Sequence, residues 1–354
     1  PMAIPYAAGY ARMAAWSELL DAINVFPVAD SDTGRNLCIS LTPLRAMDGQ
    51  SPGATVDQLI RTATGNSGNI AAAFLAELLN ASVMEALPEA AAAGARRARE
   101  AIGAPCAGTM LDVFDTLAGR LTQHEGMGAS VSDRLLPALV QAVQETTAQL
   151  PALSRAKVID AGALAMYLFF EGFFYEMDGR PLSHGHLPEA LGALAVRKPV
   201  ATETAGGIPA QEVCVNAMVR PSPGVGMGEL KRRLDHMGDS VVALGHERFL
   251  KVHLQASDLR AATDLLAGLG TIDTVSGEAL YDEDLSTQPL PEGPIHIMTD
   301  AAGSFSRRQA RQLGVTLLDS FVVGSGAAVP ETLLDPMTVY QRLRAGTPTS
   351  TAQA

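Results

Sequence analysis

The chain has 354 residues, enough for two or three domains with a sizeable core. Its formal net charge is −12, which argues against a nucleic-acid partner held by phosphate neutralisation. Hydrophobic residues make up 47 % of the chain and aromatic ones only 5 %, a balance that suits closely packed helices.

Residues 10–23 carry apolar side chains at helical spacing (Met13, Trp16, Leu19, Leu20, Ile23) and predict a first amphipathic helix. It delivers the loop Asn24–Leu37, in which Asp30 and Asp32 are separated by one small residue. Hard cations such as Mg²⁺ take oxygen ligands and are usually held by one or two carboxylates together with substrate phosphates. Asn24 offers a further neutral oxygen. The same residues also suit an Asx-rich turn that caps the helix after Thr33. Lysine occurs only at positions 157, 198, 231 and 251, and no G-x-x-x-x-G-K-[ST] stretch is present, so a P-loop is excluded. Metal, backbone amides and arginine must therefore hold any phosphates bound by the first half.

Further helices are predicted at about 55–63, 68–87, 89–102, 108–122, 130–149, 159–176 and 187–195, a pattern of up-and-down helices with short links. Three of their leading loops carry polar residues. Thr64–Asn69 places glycines and amides before an apolar helix, which suits phosphate but is also what an ordinary helix cap looks like. Gly108–Asp112 contains Met110 and Leu111, which by themselves read as core. Val158–Ala163 contains Asp160, which by itself reads as an N-cap.

Around 195–207 the helical pattern breaks at Arg197-Lys198-Pro199 and Gly206-Gly207-Ile208-Pro209, a linker. Strands near 211–219, 240–244, 249–254 and 271–280 alternate with helices at 227–237 and 259–269. This β-α-β-β-α-β order is that of a ferredoxin-like unit. After an acidic, proline-rich spacer at 282–293, Ile295–Asp300, Phe305–Leu313 and Val315–Val323 read as strand, helix and strand, a βαβ start. Cys38, Cys106 and Cys214 form no disulfide framework and suit a reducing compartment. The first residues carry no basic n-region. The most apolar run, Ala161–Phe174, is shorter than the roughly 20 residues of a membrane span and contains Glu171. The expected location is cytoplasmic.

Asn24–Leu37 resembles the Asn-Val-Phe-Pro-Val-Pro-Asp-Gly-Asp-Thr-Gly-Thr-Asn-Met signature of the ATP-binding subunit of bacterial fatty acid kinase, within the dihydroxyacetone kinase L-domain family. Ala29, Ser31 and Arg35 depart from it, and none removes a carboxylate. The loops at 64–69, 108–112 and 158–163 are similar to the family's Gly-Asn-Ser-Gly, Thr-Met-Leu-Asp and Val-Val-Asp-Ala-Gly-Gly elements, in the same order. The resemblance implies a multidomain α and α+β chain: an antiparallel eight-helix barrel over 1–197, a ferredoxin-like middle domain over 198–288 and a partial α/β segment over 294–354. It implies ATP and Mg²⁺ as cofactors. Asp30 and Asp32 would be catalytic and, with Asn24, would hold the metal. Thr33, Gly34, Arg35, Asn36, Asn66, Ser67, Gly68, Thr109, Met110, Asp160 and Gly162 would hold the nucleotide. Arg35, a bulky cation, would either strengthen phosphate contact or crowd it.

The middle domain of that family binds zinc through a Cys on its first strand and a His-x-His on its third. Cys214 and His253 match, but Gln255 replaces the second His, and the domain is expected to fold without zinc. The segment from Ile295 is similar to the opening of DegV-type fatty-acid-binding proteins, and Pro348–Thr351 to their Pro-Thr-Thr-Ser-Gln element. By that resemblance Thr349 and Ser350 would face an acyl carboxylate, although Ala301 replaces the usual Ser. About sixty residues are only a fraction of such a domain, so its lipid site is expected to be incomplete in this chain. The implied activity is transfer of the ATP γ-phosphoryl group to a fatty acid carboxylate presented by a DegV-type domain, in cis or in trans. A glycerone kinase-like acceptor and a non-catalytic nucleotide- or lipid-binding role are the alternatives, and a homodimer remains open.

Overall fold

The most apolar stretch of the chain is its central helix. Every residue from Ala161 to Phe174 is buried, as befits a helix without a polar face. The computed structural model describes residues 3–27, 32–45, 47, 50–123, 130–181, 186–195, 213–222, 233–234, 241–245, 249–256, 259–279, 297–300, 313, 315–318, 321–324, 327–330, 340, 343–346 and 349–352. The chain divides into two compact units, Pro1–Tyr281 and Asp282–Ala354.

The first unit begins with helices α1 (Ala3–Ala14), α2 (Ser17–Ala22), α3 (Thr33–Leu41), α4 (Pro52–Thr62), α5 (Gly65–Leu78), α6 (Leu87–Ala101), α7 (Met110–Leu121), α8 (Val131–Gln149), α9 (Pro151–Ala156), α10 (Ala161–Met177) and α11 (Glu189–Ala195). The helix expected over 10–23 is two: α1 starts earlier, and the chain turns at Ala15–Trp16 before α2. Helix α9, only six residues long, was not expected. α1 lies along α10 because glycines face the crossing. A Cβ at Gly9 would stand 2.7 Å from the Phe169 carbonyl oxygen, and one at Gly172 would stand 2.6 Å from that of Ala8. Glu171, the charge inside the apolar run, is matched there by Arg12. The Arg12 Nε donates to Glu171 Oε2 at 2.7 Å, and Tyr167 Oη donates to Oε1 at 2.7 Å. Removing either partner of such a buried pair leaves an uncompensated charge, at a cost of about 3–5 kcal/mol. Aromatic packing joins the other central helices. Phe74 of α5 stacks on Phe114 of α7 with centroids 4.0 Å apart, and Phe170 of α10 meets both edge-on.

The same unit carries a four-stranded antiparallel sheet: β1 (Val213–Pro221), β2 (Val242–Gly245), β3 (Leu250–Ala256) and β4 (Gly270–Ala279), in the order β2-β3-β1-β4. Helix α12 (Leu259–Ala267) covers one face, where Val215, Ala217, Val219, Leu250, Val252 and Leu254 form a core with Ala262 and Leu266. The expected helix 227–237 lies outside the described residues except for Arg233 and Leu234, which are helical.

Alternation along the strands puts Cys214, Asn216, Lys251, His253 and Gln255 on the opposite face. Lys251, His253 and Gln255 are nevertheless buried, because this face is turned toward the helices. Lys251 Nζ donates to the Arg61 carbonyl at the end of α4, and the Arg61 guanidinium lies 4.6 Å from the Phe249 ring centroid. The outer edge of β2 receives Ile102 as a bridge partner and a hydrogen bond from Gly103 N to Val241 O, while Arg97 donates to Gly245 O. An edge that would otherwise invite pairing is thereby occupied.

In the second unit β5 (Ile297–Asp300) and β6 (Val315–Leu318) pair in parallel, while β7 (Phe321–Gly324), β8 (Ala327–Pro330) and β9 (Thr349–Ala352) form an antiparallel sheet in the order β8-β7-β9. The single strand expected over Val315–Val323 is therefore two strands belonging to different sheets. The expected helix Phe305–Leu313 lies outside the described residues but for Leu313. No described helix of either unit is long and apolar enough to cross a membrane.

Candidate functional site

Helices α3, α5, α7 and α10 start around one cavity of about 470 Å³ in the first unit. Asn24, Phe26 and Pro27 line it from the loop after α2, and Asp32, Thr33 and Asn36 from the start of α3. Gly65, Asn66 and Ser67 come from the start of α5, Thr109 and Met110 from α7, and Asp160 and Gly162 from α10. Ile70, Leu111, Ile102–Cys106, Val241 and, from the sheet, Cys214, Val242, His253 and Gln255 complete the wall. Of the site residues expected from sequence, Gly34, Arg35 and Gly68 are not in this lining. Asp30 lies outside the described residues. Thr349 and Ser350 belong to β9 of the second unit, half-buried and exposed respectively.

A helix start exposes unpaired amides and a partial positive charge, so the fate of each start decides what the cavity offers. At α3 the N-cap residue is Asp32, yet its side chain makes no capping bond. Asp21, buried at the end of α2, does so instead: its Oδ1 accepts from Gly34 N at 2.7 Å and Arg35 N at 3.1 Å. At α7 Thr109 and Asp112 form a capping box, with Thr109 Oγ1 accepting from Leu111 N and Asp112 Oδ2 accepting from Gly108 N and Thr109 N. At α10 Asp160 Oδ2 accepts from Ala163 N at 2.7 Å.

Helix α5 differs, since its N-cap residue Thr64 makes no side-chain capping bond. Its first residues sit tightly against α3. Gly65 has φ +63°, and a Cβ there would stand 2.1 Å from Asn36 Nδ2, so both its conformation and its closeness require glycine. Ser40 Oγ accepts from Thr64 N at 3.0 Å and donates to Asn36 O at 2.6 Å. Asn69 Nδ2 donates to Gly65 O. The side-chain oxygens of Asn66 and Asn69 are buried and have no hydrogen-bond partner among the described residues. Orphaned acceptors of this kind ask for a donor or a cation.

Burial sets the protonation of the wall. Asp160 is pushed up to about 7, first by burial and then by the charge of Asp112, against the pull of its amide donors. The Cys106 thiol is raised by burial and by Asp160 and Asp112. His253 falls to about 4 through burial and the neighbouring Lys251, so its imidazole is neutral at pH 7, with Nδ1 3.1 Å from Asn216 Oδ1. Lys251 itself is lowered to about 8 by burial.

A hard divalent cation fits the donors on the α3 side: Asn24, Asp32 and Asn36 offer only oxygen as acceptor. No cluster of three or more His, Cys, Asp or Glu forms among the described residues. Zinc fits the sheet side poorly. Cys214 and His253 are donors of its usual kind, but Gln255 contributes an amide, and structural zinc takes four nitrogen or sulfur ligands.

Sequence reasoning missed Asp21, Ser40, Asn216 and the Ile102–Cys106 segment. Only Asp21 left a trace, as an acid one helical turn ahead of Asn24.

Residues 27–175 match the DAK2 domain family, and residues 211–284 match the FakA-like middle domain of fatty acid kinase. Protein YloV of Bacillus subtilis (strain 168) is 28 % identical over 279 residues, covering 71 % of this chain and 50 % of its own. Uncharacterized proteins of Staphylococcus epidermidis and Staphylococcus saprophyticus are 24 % and 25 % identical, each covering 67 % of this chain and 47 % of its own. The chain thus spans about half the length of these curated relatives. With a DAK2 domain followed by this middle domain, it belongs to the FakA-like fatty acid kinase and dihydroxyacetone kinase L-domain family.

Proposed function

We propose that this chain carries the nucleotide site of an ATP- and Mg²⁺-dependent phosphotransferase whose acceptor is a fatty acid carboxylate held by a DegV-type domain. Residues 1–197 would be a helical barrel, 198–288 a ferredoxin-like domain and 294–354 the opening of a DegV-like segment. The strand order β2-β3-β1-β4 supports the middle assignment. What carries the functional reading is the meeting of two features in one cavity. Asp32, left free of capping, stands among the neutral oxygens of Asn24 and Asn36, beside the uncapped start of α5.

Asp30, Asp32 and Asn24 would hold Mg²⁺, which supplies charge neutralisation for the phosphates. Thr33, Asn36 and the Gly65–Ser67 amides would orient them. Phosphoryl transfer is largely positioning and charge stabilisation. A carboxylate oxygen of the acceptor bonds to the γ-phosphorus as the bond to the bridging oxygen breaks, and ADP leaves with that electron pair. The acceptor is already ionised at pH 7, so no base has to remove a proton from it. Residues 1–123 indeed contain no histidine.

Calorimetric titration of Mg·ATP into the full chain tests the assignment. Asp30→Ala and Asp32→Ala are each expected to abolish Mg-dependent binding while the far-ultraviolet signal of the helices persists. Unchanged affinity in both variants refutes it. Phosphoryl transfer to an acylated DegV-type carrier then separates a kinase from a nucleotide-binding regulator, which would bind without transferring.

A further inference from the structure

We propose that Asp21 is a positioning residue, one that caps α3 in place of Asp32 and so leaves the Asp32 carboxylate to the cavity. This inference rests on the metal role given to Asp32 above. An Asp at an N-cap position ordinarily turns its own carboxylate onto the amides two and three residues ahead. Asp160 does so at α10 toward Ala163 N, and the hydroxyls of Ser51 and Ser130 fill the same role at α4 and α8. Asp32 occupies the same position at α3 without making that bond. The two amides it would take, Gly34 N and Arg35 N, both donate to Asp21 Oδ1.

The arrangement is built into the packing. Asp21 is 3 % exposed, and the starts of α2 and α3 touch through Gly34. A Cβ at Gly34 would stand 2.1 Å from Ser17 O, so only glycine lets α2 come close enough for its acid to reach across. Asn24, three residues after Asp21, lines the cavity, and its N donates to Asp21 O at 3.3 Å. Asp21 thus meets both ends of the loop, through its backbone carbonyl at Asn24 and through its carboxylate at Gly34 and Arg35, and only the second contact depends on the acid. Without Asp21 the two amides lose their acceptor, and the nearest replacement is Asp32 itself. Capping and metal binding then compete for one carboxylate. A capping contact is worth roughly a factor of five in an equilibrium, so the competition weakens Mg²⁺ binding by about that much.

The test is a Mg²⁺ titration at fixed ATP, reading nucleotide binding by the full chain. Asp21→Ala is expected to raise half-saturating Mg²⁺ roughly five- to tenfold, with binding restored at high Mg²⁺. Asp21→Asn keeps the acceptor oxygen and is expected to lie within about twofold of the parent chain. Asp178→Ala is the control for lost stability. Asp178 likewise serves a helix start from another helix, accepting from Val131 N and Ser132 N of α8 beside that helix's own Ser130 cap, and it does not line the cavity; its loss should lower the melting temperature without moving the Mg²⁺ requirement. Should Asp21→Ala fail to fold, Asp21→Thr shortens the reach of the acceptor at similar volume and is read in its place.

An unchanged Mg²⁺ requirement in Asp21→Ala overturns the inference, as does an equal rise in Asp21→Asn or in Asp178→Ala. If Asp32→Ala abolishes Mg-dependent binding while Asp21→Ala leaves it untouched, the inference about Asp21 alone fails. If Asp32→Ala changes nothing, it is the metal reading that fails.

Discussion

Replacing Asp160 by Asn isolates the cost of a buried acid in the cavity wall. Asp160 is 5 % exposed, and its carboxyl is pushed from the ordinary 3.8 to about 7. Between these two values the folded chain binds the proton more tightly than the unfolded chain. Stability therefore falls as pH rises through the window, and the full cost is present above about pH 7. A displacement of that size corresponds to about 4 kcal/mol in the limit, since each pH unit of the window contributes at most about 1.36 kcal/mol. Asn cannot ionise, and its side-chain oxygen can still accept from Ala163 N. Urea unfolding of both chains at intervals from about pH 4.5 to about pH 7.5 measures the effect, since every other titrating group is shared and cancels in the difference. Asp160→Asn should gain on the parent by about 3 kcal/mol across that range. A difference that stays flat would show that the Ala163 amide and its surroundings offset the burial, and the reasoning would be wrong.

Two further outcomes are expected. Lys251 is lowered from 10.5 to about 8, so the unfolded chain binds the extra proton between those values and stability rises with pH across them; Lys251→Met should be the more stable chain at pH 7, with the advantage shrinking by about 3 kcal/mol on reaching pH 10.5. Thermal melts of both chains at the two ends of the window check this, and a pH-independent difference contradicts it. Metal analysis of the purified chain should find zinc well below one equivalent, because Gln255 stands where a third strong ligand is needed; stoichiometric zinc lost on Cys214→Ala or His253→Ala contradicts that.

What the sequence revealed follows from the range over which each interaction acts. α10 was legible to within two residues because fourteen successive buried positions need no partner to be recognised. The four strands of the first unit came within a few residues for a similar reason, since alternation is local. The break between α1 and α2 was not legible. Ala14, Ala15 and Trp16 include no glycine or proline, and the turn reflects the seating of Ser17 against Gly34. Glu171 was visible as an interruption, but its partner Arg12 lies 159 residues away. Loops 64–69, 108–112 and 158–163 were legible as helix starts from their Gly, Thr and Asp, but only their resemblance to the family's elements, in the same order, singled them out as lining a site. Asp21 carries no such mark, because capping from another helix depends on how two helices pack. Nothing local in the sequence marks Lys251, His253 and Gln255 as buried, and only their packing on the helices explains why they are.

The fate of the helix starts also gives a reason why the proposed activity would depend on a metal. Four positive helix ends face one cavity, yet Asp21 serves α3, Thr109 and Asp112 serve α7, and Asp160 serves α10. The amides left over are those of α5, enough to grip one phosphate but not to neutralise a triphosphate. Side-chain cations do not supply the remainder. The chain has no lysine before position 157, and among the described residues no arginine lines the cavity. Lys251, on the sheet that closes the wall, is engaged by the Arg61 carbonyl. With a formal net charge of −12, the chain has no surplus of positive charge to lend. On the proposed function, a nucleotide entering this cavity would have to bring its own counterion, and Asp32 would receive that ion because a neighbouring acid serves the helix start in its place.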